Sequence, residues 1–144
     1  MYTLEELVPK IQDWAEKRDL LFESNIPKQQ LKLIEELGET AKAILTGNEK
    51  EIKDGIGDTF VVLVILLTQM NKGVFFRFDP SESESYFLIE RIVNYAKLGY
   101  FQSFDFLNDL AISNKTTLTE CANLAWDEIK NRQGNTINGT FIKN

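Results

Sequence analysis

The residues of this chain whose types and spacing can do chemistry are acids on two neighbouring stretches of sequence. In a helix, Glu35, Glu36 and Glu39 would lie within an arc of roughly 100°. On the next stretch, Asp54 and Asp58 would share one narrow helical stripe with valines. A carboxylate buried there without a partner costs several kcal/mol or takes up a proton. Facing acids on two helices therefore indicate a site for a divalent cation.

The composition narrows the kind of cation and the compartment. The chain has no histidine and one cysteine, Cys121, so it lacks the usual ligands of zinc, haem and non-haem iron sites. Oxygen ligands alone suit Mg²⁺, Mn²⁺ or Ca²⁺. The absence of histidine also argues against a ferritin-like di-iron bundle. A single cysteine cannot form an internal disulfide and the N-terminus shows no secretion signal, so we expect a cytoplasmic protein.

Length and charge exclude several classes of partner. With 144 residues, we expect a single domain over residues 1–144. The 22 acids and 16 basic residues give a net charge of −6, which is the wrong sign for binding duplex nucleic acid. The most apolar stretch, Phe60 to Met70, is about half the length that a bilayer span needs. We expect neither duplex nucleic acid nor a membrane as a partner.

Cap and turn signals predict an all-α fold, an antiparallel bundle of five to six helices with a short C-terminal β-hairpin. The turn at Gly47 and Asn48 is so short that the two acid-bearing helices must be antiparallel neighbours. The Asn138-Gly139 dipeptide predicts the turn of the hairpin. The predicted helices run from Thr3 to about Arg18, Asn25 to Gly47, Asn48 to near Gly73, Asp79 to about Leu98, Ser103 to Ile112 and Thr117 to Arg132.

The third of these helices has no polar side over two turns, from Phe60 to Leu67. Such a helix needs to be covered on all faces. The five other short helices of one chain do not readily provide that much cover. We therefore predict a homo-oligomer, either a homodimer or a homotetramer, with this segment at or near the interface.

The acids of the second helix also have a simpler interpretation, a solvated polar face opposite an apolar stripe. The third helix favours a cation site instead. Four or five carboxylates that converge without an arginine or histidine among them would repel one another unless a metal held them.

The two acid motifs carry a resemblance to a known family. Gln29-x-x-Lys32-x-x-Glu35-Glu36-x-x-Glu39 is followed by Asp54-Gly55-Ile56-Gly57-Asp58. This pattern resembles the MazG-like branch of the all-α nucleoside triphosphate pyrophosphohydrolases, whose signature is Glu-Glu-x-x-Glu on one helix and Glu-x-x-Asp on the next. The likeness covers most of the chain, and its other segments are 14–18, 125–134 and 138–143.

The resemblance implies a Mg²⁺-dependent enzyme, with Mn²⁺ as an alternative metal. Such enzymes cleave a nucleoside triphosphate between the α and β phosphorus atoms and release a monophosphate and pyrophosphate. On this interpretation Glu36, Glu39 and Asp58 are metal ligands. Glu35, which is angled away from them, orients or deprotonates the attacking water.

One position departs from the family signature. Gly55 stands where the family has the glutamate of Glu-x-x-Asp, and glycine supplies no ligand. Asp54, one position earlier, would provide the missing oxygen as a fourth ligand. A glutamate restored at position 55 would then keep or raise activity. Alternatively, Gly55 allows close packing against another helix, and a glutamate there would destabilise the fold.

Four further residues are candidate substrate contacts. Lys32 meets a phosphate or pairs with a glutamate of its own helix. Trp14 stacks on a nucleobase, as the resemblance suggests, or lies in the core. Arg132 faces the triphosphate or complements the end of its helix. Gln29 belongs to the same motif as Lys32.

A second function stays open. The chain could be a catalytically weak helical protein that keeps the fold and binds a nucleotide or a metal. The choice depends on whether Asp54 replaces the absent glutamate.

Overall fold

A computed structural model describes residues 1–144 and confirms a helical fold with a C-terminal β-hairpin. A 3₁₀ turn at Glu23–Asn25 precedes the second helix. The elements are α1 (Leu4–Glu16), α2 (Ile26–Thr46), α3 (Glu49–Gln69), α4 (Ser85–Ala96), α5 (Gln102–Ser113), α6 (Leu118–Ile129), β1 (Gly134–Ile137) and β2 (Thr140–Lys143).

Local sequence signals set the start of α1 and the boundary between α2 and α3, the two helices that carry the acids. The Thr3 hydroxyl accepts a hydrogen bond from the Glu6 N–H and the Glu6 carboxylate accepts one from the Thr3 N–H, which starts α1 with a capping box. Gly47 ends α2 with φ +67°, a left-handed conformation that glycine adopts without strain. The Asn48 side chain accepts from the Glu51 N–H at the start of α3. A two-residue turn therefore joins α2 to α3.

The helix α4 begins later than the sequence predicts. The signal at Asp79 predicts a start there, but α4 starts at Ser85. The Ser81 N–H and hydroxyl donate to the Asp109 carboxylate of α5 at 3.1 and 3.4 Å. The Asp109 carboxylate of α5 thus binds the N–H that an Asp79 cap would otherwise accept from, and residues 72–84 form an irregular segment.

The centre of the fold is α3, which the other five helices cover within one chain. Every side chain from Phe60 to Leu67 is at most 7 % exposed. The premise that five other helices could not cover this segment is therefore wrong, because no face of it remains uncovered within one chain. The oligomeric state itself stays a prediction. No helix combines the length and the apolar character that crossing a membrane requires.

Two glycines let α3 approach its neighbours closely. A Cβ atom at Gly57 would collide with the carbonyl oxygen of Cys121 on α6. A Cβ atom at Gly55 would collide with the Thr40 hydroxyl on α2. These contacts hold α3 between α2 and α6, so the polar edges of three helices meet on one side of the bundle.

The hairpin forms as the Asn-Gly dipeptide predicts. Asn138 and Gly139 have φ values of 52° and 82° and connect the antiparallel strands β1 and β2. Phe141 of β2 packs edge-on against Trp14 of α1, with 5.2 Å between ring centroids. The hairpin is thereby attached to the body of the bundle.

Candidate active site

The candidate site lies where α2 and α3 face each other, with Glu36 on one helix and Asp58 on the other. Glu36 is 6 % exposed and Asp58 is half-buried. The carboxylates are close enough for the charge of Glu36 to raise the pKa of Asp58. The short turn after α2 thus brings together two acids that lie 22 positions apart in the sequence.

Glu36 has one paired oxygen and one without a partner. Its Oε1 lies 3.3 Å from the Lys32 Nζ, whereas its Oε2 is buried and accepts no hydrogen bond. Burial raises the pKa of Glu36, Lys32 opposes that shift, and the charges of Glu39 and Glu35 add to it. Buried polar atoms in proteins nearly always have a partner. The free oxygen therefore marks a place for a cation or a proton donor.

Asp58 is surrounded by more negative than positive charge. Burial raises its pKa to about 7, and the charges of Glu36, Glu128 and Asp54 contribute to the rise. Arg132 is the cation that opposes it. The Asp58 carboxylate thus lacks sufficient counter-charge within the chain, which is the electrostatic condition for binding a cation.

The other predicted acids lie at the rim of the site. Glu35 and Glu39 are exposed, and Asp54 is half-exposed with its carboxylate 3.2 Å from the Lys50 Nζ. No three acidic or cysteine side chains of the chain stand close enough together to hold a metal ion. The structure therefore brings together two of the four predicted ligands, Glu36 and Asp58. The other two, Glu39 and Asp54, lie at the rim and do not complete a metal-binding group.

The donors present nevertheless fit an oxygen-preferring dication. All candidate ligands are carboxylates, because the chain has no histidine and its cysteine lies buried in the core. The buried Oε2 of Glu36 has an unused lone pair that faces no donor. Mg²⁺ is usually bound by one or two carboxylates, with water and substrate phosphates completing its shell. It does not need a closed cage of protein ligands.

The structure supports the packing interpretation of Gly55. The Thr40 hydroxyl lies against its Cα and donates to the Glu36 carbonyl oxygen at 2.8 Å. A glutamate at position 55 would push into this contact. We therefore expect Gly55→Glu to destabilise the contact between α2 and α3, while its effect on activity stays a prediction.

Glu128 of α6 is a residue that the sequence analysis does not single out. It is exposed, and after burial and the charge of Glu36, its charge contributes to the raised pKa of Asp58. A signal was present, since Glu128 precedes Arg132 by four positions and so lies on the same helical face. Its nearness to α3 depends on how α6 packs, which the acid motifs alone do not indicate.

Trp14 lies in the core, which was the alternative to base stacking. Its side chain is buried and its indole N–H donates to the Ile129 carbonyl oxygen at 2.9 Å. The Arg18 guanidinium covers the ring, 4.5 Å from its centroid, and Phe141 packs against it. No face of the indole is free for a nucleobase.

Lys32 and Gln29 both have partners within the chain. The Lys32 Nζ lies 2.6 Å from Glu35 Oε1, so the predicted intrahelical pair forms. Burial lowers the pKa of Lys32, but its pairs with Glu35 and Glu36 outweigh that effect and raise it. The buried Gln29 amide donates to the Val62 carbonyl oxygen of α3 at 3.5 Å. Lys32 remains a cation at the mouth of the site, whereas Gln29 joins two helices.

Arg132 is placed at the site by contacts of its own backbone. Its carbonyl oxygen accepts two hydrogen bonds from the Arg18 guanidinium, at 3.0 and 2.6 Å. Its side chain is half-buried and lowers the pKa of Asp58. The predicted cation therefore does face the acids, from just beyond the end of α6.

Comparison with known proteins gives one partial likeness. The chain is 45 % identical over 69 residues to an uncharacterised 18.2 kDa protein encoded in the rep-hol intergenic region of Haemophilus phage HP1. The match covers 48 % of this chain and 42 % of the phage protein, so the chain spans less than half the length of that relative. No family model and no solved structure matches the chain.

Proposed function

We propose that this chain is a Mg²⁺-dependent nucleoside triphosphate pyrophosphohydrolase that cleaves between the α and β phosphates. The observation that carries the proposal is the pair Glu36 and Asp58, two carboxylates on adjacent helices with a buried, unpartnered oxygen and a raised pKa. A cytoplasmic location goes with the proposal, because nucleoside triphosphates are cytoplasmic metabolites and the chain cannot form an internal disulfide.

The residues that would hold Mg²⁺ are Glu36 and Asp58, with Glu39, Asp54 and Glu128 at the rim. When bound, Mg²⁺ would neutralise the triphosphate and lower the pKa of a water molecule. Glu36 and Asp58 would both be ionised in the metal complex, and two packed helices hold their positions. The exposed rim acids can change rotamer, so they can adjust to a phosphate-bearing ligand without moving the backbone.

The cations of the chain would bind the phosphates. Arg132 presents a planar guanidinium suited to two phosphate oxygens, and its backbone is already fixed by Arg18. The Lys32 ammonium would leave its ion pair with Glu35 and bind a phosphate oxygen instead. Glu35 released in this way becomes free to accept a proton from water. The water oxygen would bond to the α phosphorus while the bond from this phosphorus to the α–β bridging oxygen breaks, and pyrophosphate leaves.

The test is to measure both products for each common nucleoside triphosphate with and without Mg²⁺. The proposal requires equal amounts of monophosphate and pyrophosphate, in a reaction that stops when the metal is chelated. Release of diphosphate and orthophosphate, or no turnover of any nucleotide, would contradict it. A second measurement is the melting temperature, which millimolar Mg²⁺ or Mn²⁺ should raise if the metal binds the folded state.

The alternative is a catalytically weak protein that keeps the fold and binds a nucleotide or a metal. Two observations favour it, the absence of three converging acids and the closed space at Gly55. The variant Asp54→Ala separates the two functions. If Asp54 replaces the glutamate of the family signature, the folded variant loses hydrolysis as completely as Asp58→Ala does. For the binding protein, both variants weaken the Mg²⁺-dependent rise in melting temperature while the wild type shows no turnover.

A further inference from the structure

The outward face of α2 is apolar along almost its whole length. Leu31, Ile34 and Leu45 are 63 %, 49 % and 87 % exposed. Together with Gly38 and Ala41 they recur at alternating spacings of three and four residues, and we call these five residues the α2 stripe. Ile34, Ala41 and Leu45 fit the core-facing pattern of a helix equally well in the sequence. The structure instead turns this stripe away from the core, which α2 covers with other side chains.

A stripe of this kind indicates a helical partner. Single exposed apolar residues are ordinary, but a seam with a strict three-and-four repeat is the pattern by which one helix packs against another. At a rise of 1.5 Å per residue, the 14 steps from Leu31 to Leu45 extend over about 21 Å. No other element of the chain covers this length.

The outer residues of the stripe lie symmetrically about Gly38, and its inner residues lie four positions before and three positions after it. Leu31 lies seven residues before it and Leu45 seven residues after it. A second α2 that runs antiparallel, with a two-fold axis at Gly38, would place Leu31 against Leu45 of the second copy, and Ile34 against Ala41. A Cβ atom at Gly38 would meet nothing within 4 Å in the chain, so this glycine is open to a close approach from outside.

The charges beside the stripe have the same symmetry. Glu35 and Lys42 lie on one edge of it, three positions before and four positions after Gly38. In the antiparallel arrangement Glu35 would face Lys42 of the second copy, and the symmetry axis would repeat the pair. Lys42 takes part in none of the ion pairs within the chain, so it is free to do so.

We propose that a second copy of this chain covers the α2 stripe in an antiparallel α2–α2 contact centred on Gly38. Isologous contacts of this kind are the commonest way in which identical chains associate. The contact does not depend on the proposed function, because Glu36 lies on the side of α2 that faces α3, and Asp58 lies on α3. It would bring Lys42 of the second copy to Glu35, at the rim of the candidate site.

Sedimentation velocity over a range of micromolar concentrations tests the contact. The wild type should sediment at twice the 16.6 kDa chain mass. Leu31→Glu and Leu45→Glu should each raise the dissociation constant at least about 100-fold, because each substitution enters the interface twice. The matched control is Leu98→Glu, which changes an equally apolar side chain, 50 % exposed, in the turn after α4, and should leave the dimer unchanged.

The direction of the helices is tested by charge reversal and cross-linking. Lys42→Glu should weaken the dimer, and adding Glu35→Lys should restore it. Under oxidation, a mixture of Leu31→Cys and Leu45→Cys proteins should form a disulfide-linked heterodimer, whereas neither protein alone should cross-link. The native Cys121 is buried and gives no background. Circular dichroism confirms the folding of each variant.

Three results would overturn the proposal. One is a wild type that stays monomeric at tens of micromolar. The second is a dimer that survives both glutamate substitutions unchanged, which would place the second copy elsewhere. The third is a cross-link within Leu31→Cys or Leu45→Cys protein alone, which would show parallel helices.

Discussion

Two acids of this chain are buried to a similar degree and differ in their partners. Asp109 of α5 is 3 % exposed and accepts hydrogen bonds from the Ser81 N–H and hydroxyl. Glu36 of α2 is 6 % exposed, and its Oε2 accepts none. The first acid fixes the irregular segment before α4. The second has unused capacity for an external cation, so the missing partner, and not the burial, distinguishes the candidate site.

The largest expected effect is on catalysis. Asp58→Asn keeps the shape of the side chain and removes its charge, so it should reduce Mg²⁺-dependent hydrolysis by at least about 100-fold, as expected when a charged group is lost from such a site. Asp109→Asn is the matched control, since it makes the same change at an acid that has internal partners. If the hydrolysis rate falls equally in both variants, the loss comes from reduced stability and Asp58 has no special role in catalysis.

The next effect concerns the contact that aligns α2 with α3. Gly55→Glu should destabilise the fold by about 1 to 3 kcal/mol, because its side chain must displace Thr40. Urea denaturation followed by circular dichroism measures the loss. A Gly55→Glu protein as stable as the wild type, and more active, would show that α2 and α3 can separate and that the signature glutamate can be accommodated.

The two buried acids should also respond with opposite signs when no metal is present. Asp109→Asn exchanges a charged acceptor for a neutral one and should lower stability by about 1 kcal/mol. Glu36→Gln removes a buried charge with an unpartnered oxygen and should raise the melting temperature in chelator. A Glu36→Gln protein that melts below the wild type would mean that the Lys32 pair already stabilises this carboxylate.

The last prediction is the pH dependence of the stability of the metal-free protein. The pKa of Asp58 rises from 3.8 to about 7 on folding, so between these values the folded chain holds a proton that the unfolded chain has released. The free energy of unfolding should therefore fall as the pH rises towards 7, and this contribution should be constant above it. Melting curves in chelator should show a flatter profile for Asp58→Asn. An identical profile for both proteins would assign the dependence to other groups.

The structural features that the sequence predicts correctly depend on residues only a few positions apart in the chain. The capping box at Thr3, the Asn48 cap and the Asn138-Gly139 turn each satisfy backbone groups within a few positions, so they form regardless of the rest of the chain. The same short range explains why the α2–α3 turn, and with it the pairing of Glu36 with Asp58, follows from sequence.

The wrong predictions depend on distant partners. The start of α4 is moved by Asp109, which lies 28 residues beyond Ser81. The cover of Phe60 to Leu67 comes from helices on both sides in sequence, so the apolar pattern alone could not exclude a second copy. Likewise, the sequence leaves Gly55 open between a lost ligand and a packing position, and only the contact with Thr40 of another helix favours packing.

The amino-acid sequence by itself determined the helical fold, the two helices that carry the acids and the absence of any imidazole from their surroundings. These follow from periodicity, caps and the absence of histidine, which are properties of residues and their near neighbours. Only the tertiary structure decided which acids lack a partner, that Glu128 and Arg132 reach Asp58, and that the α2 stripe faces outward. Burial and electrostatic environment are sums over all elements that pack around a side chain, so no local pattern contains them.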